Sequence, residues 1–301
     1  MRSKRILKPG VYSLIVPSID AHSQLLTNLL EDMIELCSLP YEVVVVDNAS
    51  MTDELALAIK PYEGSFQVKY YRTTTKMQIY DLVRIGAQLA ETEVILVSDS
   101  DIRIPDVTRS RIRPKYCPDP FGYLVYLVAR NEHIGLFYPG IIRLEEPIRY
   151  LLRAVDVVVT EDDIKPLFTD RMIHIASVRA WEPYRLYPSL SFPKHCFATT
   201  KELFLSIQID EEFKRQAIWP LLFGARVWAD YDLGIGTSTD ILVAHPVYKP
   251  PKPKDDLTLP GNLAEQIRLL NEKYHDLFER AYLEYQKTQP IVYSMKAIKL
   301  E

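Results

Sequence analysis

The sequence predicts an α/β fold: a mostly parallel central sheet flanked by helices. Short apolar runs alternate with stretches of helical period through the first third of the chain. Three of those runs end in a polar tip, at Pro17-Ser18, Asp47-Asn48 and Asp99-Ser100-Asp101. The chain has 301 residues, 48% hydrophobic and 25% charged, which suits a globular protein with a sizeable core.

Val11 to Val16 reads as the first strand and Pro17 ends it. Residues 22 to 37 carry Leu25, Leu26, Leu29, Leu30, Met33 and Ile34 at helical spacing. Val43 to Val46 is a second strand, apolar on both faces as in a buried parallel sheet. Asp47-Asn48-Ala49-Ser50 makes a turn, and Thr52 or Asp53 is placed to cap a helix through Ile59. Phe66 to Tyr71 is a third strand, and residues 77 to 90 form a third helix. Val94 to Val97 then runs into Asp99 and Asp101.

The pattern loosens after that. Residues 102 to 119 form a basic loop with Arg103, Arg109, Arg111, Arg113 and Lys115. Residues 120 to 131 read as helix and His133 to Ile142 as strand. Residues 143 to 192 read as an irregular, variable insertion with some helix. Phe197 to Thr199 is a short strand, residues 200 to 208 a helix, and Val243-Ala244-His245-Pro246 closes the last sheet element. Residues 249 to 261 are a proline-rich linker. Asn262 is placed to cap a final helix to about residue 287, with Leu263, Ile267, Leu270, Tyr274, Leu277 and Tyr285 largely on one stripe.

Several classes are disfavoured. A net charge of -4 is the wrong sign for a general nucleic-acid binder. Three scattered cysteines, Cys37, Cys117 and Cys196, support neither a zinc ribbon nor a disulfide framework, so a reducing cytoplasm is the simpler expectation. No apolar stretch approaches the roughly 20 residues that cross a bilayer, and no secretory leader is expected. The final helix is expected to pack on the main domain; a homodimer contact and peripheral membrane contact remain open to it.

Two carboxylates one residue apart add nothing to a buried strand. At the carboxyl edge of a parallel sheet they are placed to hold a hard divalent cation against a phosphate. The bland alternative is a solvated turn. Asp47, at another tip, is placed to accept from the imide of uracil or the N1/N2 edge of guanine, or merely to cap its own turn.

In order and spacing these segments resemble glycosyltransferase family 2, which has the GT-A (Rossmann-like) fold. The matching residues are Ser13-Leu14-Ile15-Val16-Pro17, Val43 to Ser50, and Ser98-Asp99-Ser100-Asp101, which looks like the DxD motif. Weaker matches are Phe197 to Phe204 with Ile209 to Phe213, Ala229-Asp230-Tyr231-Asp232-Leu233, and Val243-Ala244-His245. The resemblance implies a domain over residues 1–248 that binds a UDP- or GDP-sugar and moves the sugar, with inversion, to a hydroxyl of a glycan, lipid or protein. It implies Mn2+ or Mg2+ on Asp101 and His245, and Asp99 on the ribose or a metal-bound water. Pro17, Ser18 and Asp47 would line the base pocket, and Asp230 would be the general base. Asp232 would support Asp230 or cap a helix. Residues 143 to 192 would lie on the acceptor side.

Three features depart from the family pattern. Ala229 stands where a glutamate is usual, Tyr80 to Arg84 replace a small polar stretch, and the variable segment is long. Glu161, Asp162 and Asp163 read as a solvated loop and are the fallback source of a base. Two other readings compete. A nucleotidyltransferase acting on a sugar phosphate would want a glycine-rich loop after the first strand, where this chain has Pro17-Ser18-Ile19-Asp20. A non-catalytic nucleotide-sugar-binding relative is the other.

Overall fold

The computed structural model describes residues 11–104, 117, 119–144, 185–214, 218–246, 263–288 and 291–292. Most of the basic loop and of the variable segment, and all of the proline-rich linker, lie outside the described residues, as do Glu161 to Asp163 and Asn262.

Four strands build the first half of the sheet: β1 (Ser13–Ser18), β2 (Glu42–Asp47), β3 (Gln67–Arg72) and β4 (Val94–Ser98). Helices α1 (Ser23–Leu36), α2 (Glu54–Ile59) and α3 (Ile79–Leu89) connect them. β1 pairs parallel with β2 and β4, and β2 with β3. Such connections need crossovers, which the intervening helices supply. The valines of β2 and the apolar run of β4 are fully buried because helices cover both faces. α3 approaches the sheet closely at Gly86, where a Cβ would collide with Ile15.

The second half is mixed. α4 (Pro120–Arg130) leads into β5 (Ile134–Leu144), and then come β6 (Arg185–Pro188), β7 (Cys196–Thr200) and the short α5 (Lys201–Ser206). α6 (Trp219–Tyr231) precedes β8 (Gly234–Pro246), and α7 (Leu263–Lys287) precedes β9 (Ile291–Val292). The sheet order is β3-β2-β1-β4-β7-β5-β8-β6-β9. β7 is antiparallel to both β4 and β5, whereas β5 and β8 are parallel. The carboxyl ends of β1, β2, β4, β5 and β8 therefore share one edge with the amino end of β7.

Most expected elements form, with four differences. β6 lies inside the segment read as irregular and is held by antiparallel pairing with β8. α6 was not expected, because it is buried on nearly all sides and shows no apolar stripe. Asp53 stands at the N-cap of α2 without capping it; its carboxylate goes to Arg72 at 2.9 Å. The final helix kinks at Tyr274, whose hydroxyl donates to Asp210 at 2.6 Å. That helix packs on α6, burying Leu270, Leu277 and Ala281 and setting Tyr285 against Trp228. No helix among the described residues is long and apolar enough to cross a membrane.

At Gly224, in the middle of α6, an added Cβ would collide with the backbone carbonyl of Leu190. We expect Gly224→Ala to destabilise the protein by about 1–3 kcal/mol, the usual range for overpacking. A melting temperature unchanged by the substitution would contradict this packing of α6.

Candidate nucleotide and metal site

The common edge collects most of the residues singled out by sequence. Asp99 to Ile102 form a turn after β4, closed by Ile102 N–H donating to Asp99 O at 3.2 Å. Three contacts brace it. Asp99 N–H donates to His195 O at 2.8 Å, tying the turn to the start of β7. Arg103 and Ala244 exchange two backbone hydrogen bonds of 2.8 Å, tying it to β8. Ser100 Oγ lies 3.1 Å from His22 Nδ1. The Arg103 side chain grips Asp32 of α1 with two hydrogen bonds, of 2.5 and 2.7 Å. Ile104 N–H also donates to Asp32, at 3.0 Å. Asp32 is thus a satisfied buried acid that anchors the chain leaving the turn.

This bracing brings Asp101 to His245, one residue beyond Ala244. Asp101 Oδ1 and His245 Nε2 are 3.4 Å apart, and both side chains are buried. Among the described residues no group donates a hydrogen bond to Asp101 Oδ1. A buried carboxylate oxygen without a donor is costly. Two ligands of one six-coordinate ion sit about 3 Å apart when each is about 2.1 Å from the metal. The spacing and the orphaned oxygen therefore fit a divalent cation.

Asp99 is in a different electrostatic state. Its Oδ2 accepts from Lys194 Nζ at 2.9 Å and lies 2.7 Å from His195 Nδ1. Although burial alone would raise it, the Lys194 charge and the His195 hydrogen bond hold the Asp99 carboxyl far below its usual range. Burial, and then the Lys194 charge, push His195 down. A neutral His195 facing a carboxylate oxygen carries its proton on Nδ1 and leaves Nε2 as an acceptor. The His195 and His245 rings are 4.3 Å apart. Asp99, His195 and His245 can bring ligand atoms within 4.8 Å of one another. Lys194 and His195 are not among the site residues expected from the sequence. The signal was Pro193-Lys194-His195-Cys196 ahead of an antiparallel strand, whose amino end faces the ligand edge.

Asp47 is fully buried and well satisfied. Oδ1 accepts from Ser50 N–H at 3.1 Å, and Oδ2 accepts from Tyr70 hydroxyl and from Arg72 Nε at 2.9 Å. Burial and the Asp47 carboxylate push the Tyr70 phenol up to about 12. The capping reading of Asp47 is therefore visible, and a base would have to approach Asp47 past Tyr70 and Arg72. Beside it, Ala49 adopts φ 53°, a left-handed conformation that non-glycine residues seldom take. Asn48 holds Met77 through two hydrogen bonds, of 2.7 and 3.2 Å, fixing the loop before α3 against this turn. Ser18 is buried at the tip of β1, and Pro17 pairs with Val46 one step in.

Asp230 is not brought to this group. It sits in the last turn of α6, which leads into the amino end of β8, so it lies at the opposite edge of the sheet. Its partners are Arg280 of α7 at 3.1 Å and Arg226 at 3.6 Å. Asp232 is the left-handed C-cap of the same helix. A cavity of 180 Å³ near this edge is lined by His133, Trp228, Asp232, Glu284 and Lys287 among others. It is remote from the acidic turn. A second acidic-histidine group, His275, Asp276 and Glu279, is exposed on α7, where solvated charges need no metal.

The family model for glycosyl transferase family 2 matches residues 13–158. No curated protein sequence matches the chain. Among solved structures, GalNAc-T7 with UDP, GalNAc and Mn2+ aligns at TM-score 0.58 and 15% identity, over 89% of this chain and 50% of that one. Staphylococcal (S. aureus) TarS 1-349 in complex with UDP-GlcNAc aligns at 0.55 and 14%, over 91% and 72%. The mannosyltransferase PcManGT from Pyrobaculum calidifontis in complex with GDP-Man and Mn2+ aligns at 0.51 and 16%, over 91% and 73%. The chain thus spans about half the length of GalNAc-T7. The fold is that of the GT-A glycosyltransferases, and residues 13–158 match the model of glycosyl transferase family 2.

Proposed function

We propose that the protein is a glycosyltransferase that takes a nucleotide-diphosphate sugar as donor and a hydroxyl as acceptor. One observation carries the reading: Asp101 presents a buried, unsatisfied oxygen 3.4 Å from His245 Nε2 at the ligand edge of the sheet. Asp101 and His245 would hold Mn2+ or Mg2+. Such an ion supplies neutralising charge to a departing nucleoside diphosphate. The carboxylate and imidazole donor pair suits Mn2+ at least as well as Mg2+.

The chain's own residues divide the remaining work. Asp99, kept ionised by Lys194, is available through its other oxygen to a ribose hydroxyl or a metal-bound water. Asp47, Arg72 and the Asn48–Met77 clasp shape the end of the pocket where a base would sit, with Ser18 and Pro17 as its wall. Structures of similar fold hold UDP, UDP-GlcNAc or GDP-Man, which supports a UDP- or GDP-sugar here. Inversion through direct displacement is the outcome implied by the family, and the anomeric configuration of the product, read by NMR, tests it.

Direct displacement needs a carboxylate that receives the acceptor's proton. Asp230, paired to two arginines at the far edge, is poorly placed for this, which leaves the run Glu161 to Asp163 as the acidic cluster to test. For Asp230→Asn we expect transfer to fall by less than about threefold, against the 10²–10⁴-fold loss expected on removing a general base. Initial rates with a transferable donor, or donor hydrolysis rates, separate the two.

Replacing Asp101 by Asn should remove the anionic ligand with little change in volume. We expect Mn2+ affinity to fall at least about tenfold, since an ionic ligand becomes a neutral one. Isothermal titration of wild type and variant with Mn2+ measures it; equal affinities would refute the assignment.

A further inference from the structure

We propose that Lys194 is a contact for the donor's diphosphate, a role that rests on the nucleotide-sugar reading above. Lys194 lies just before β7, whose antiparallel direction delivers it to the edge where β4 and β8 end. Its side chain is only 9% exposed. Among the described residues it donates to one acceptor, Asp99 Oδ2 at 2.9 Å. Its other close neighbour is His195 Nδ1 at 3.3 Å, which itself lies 2.7 Å from the same Asp99 oxygen. A lysine ammonium has three N–H donors. Among the described residues at least one is therefore unused on a cation that is nine-tenths buried, an expensive state unless a ligand oxygen completes it.

A ligand that completes it must be anionic and rich in acceptors. It must also sit beside Asp99 and within reach of the Asp101–His245 pair. A diphosphate meets all three conditions. During transfer the acceptor oxygen bonds to the anomeric carbon and gives its proton to a base, while that carbon's bond to the terminal phosphate oxygen breaks and leaves its electron pair on that oxygen. Lys194 N–H groups stabilise the charge that accumulates there without giving up a proton. The same lysine explains the unequal state of the two aspartates: Asp99 holds the ammonium in place, and Asp101 stays open toward His245.

The test is binding, measured by calorimetry on wild type, Lys194→Met and Lys194→Arg, with Mn2+ alone, with UDP and GDP in saturating Mn2+, and with uridine and guanosine. Lys194→Met should weaken the preferred nucleoside diphosphate by roughly 10–100-fold, as expected for loss of charge-assisted hydrogen bonds. The matching nucleoside, which has no phosphate, should bind as before, and Mn2+ alone should bind no more weakly, because a nearby positive charge has gone. Lys194→Arg keeps the charge and should stay within about tenfold of wild type.

Unchanged diphosphate affinity in Lys194→Met would leave Lys194 as a mere counter-ion of Asp99 and overturn the proposal. So would an equal loss of nucleoside binding, or a loss in Lys194→Arg as large as in Lys194→Met. A wild-type protein that binds Mn2+ but neither UDP nor GDP would overturn the donor assignment itself.

Discussion

The site depends on holding two carboxylates close together at the tip of one buried strand. Like charges in such a place repel, and each loses hydration. The fold resolves the conflict unequally. Asp99 is neutralised by Lys194 and accepts from a histidine. Asp101 is left with an oxygen to which no described residue donates, facing an imidazole. One aspartate is thus kept charged by the protein, and the other would, on the proposed function, receive a cation. A generic solvated turn would show neither arrangement.

That asymmetry is a product of topology. β4 supplies the aspartates, antiparallel β7 supplies Lys194 and His195 from its amino end, and β8 supplies His245 from its carboxyl end. The turn is locked to both neighbours by backbone hydrogen bonds and to α1 through Arg103 and Asp32. Three segments far apart in sequence therefore meet with little freedom, which is what a site of defined geometry requires.

Much of this was legible in the sequence, for identifiable reasons. A strand buried on both faces must be a continuous apolar run, so Val43 to Val46 and Val94 to Val97 announce themselves, and a polar residue at their tips marks the ligand edge. That Asp101 and His245 lie at this edge was readable on that basis. The same rule hides Lys194 and His195, because an antiparallel strand reverses which end faces the ligand. It also misleads at Asp230. Acids at the end of a helix look alike in sequence whether the helix points toward the ligand edge or away from it. α6 escaped notice because a helix apolar on nearly every side carries no period to read.

The most direct test of the central claim is anomalous scattering from crystals of the protein soaked in Mn2+ with UDP or GDP. The account predicts one strong peak within bonding distance of Asp101 Oδ1 and His245 Nε2, with the diphosphate beside it. A peak confined to the exposed group of His275, Asp276 and Glu279, with none between Asp101 and His245, would contradict it.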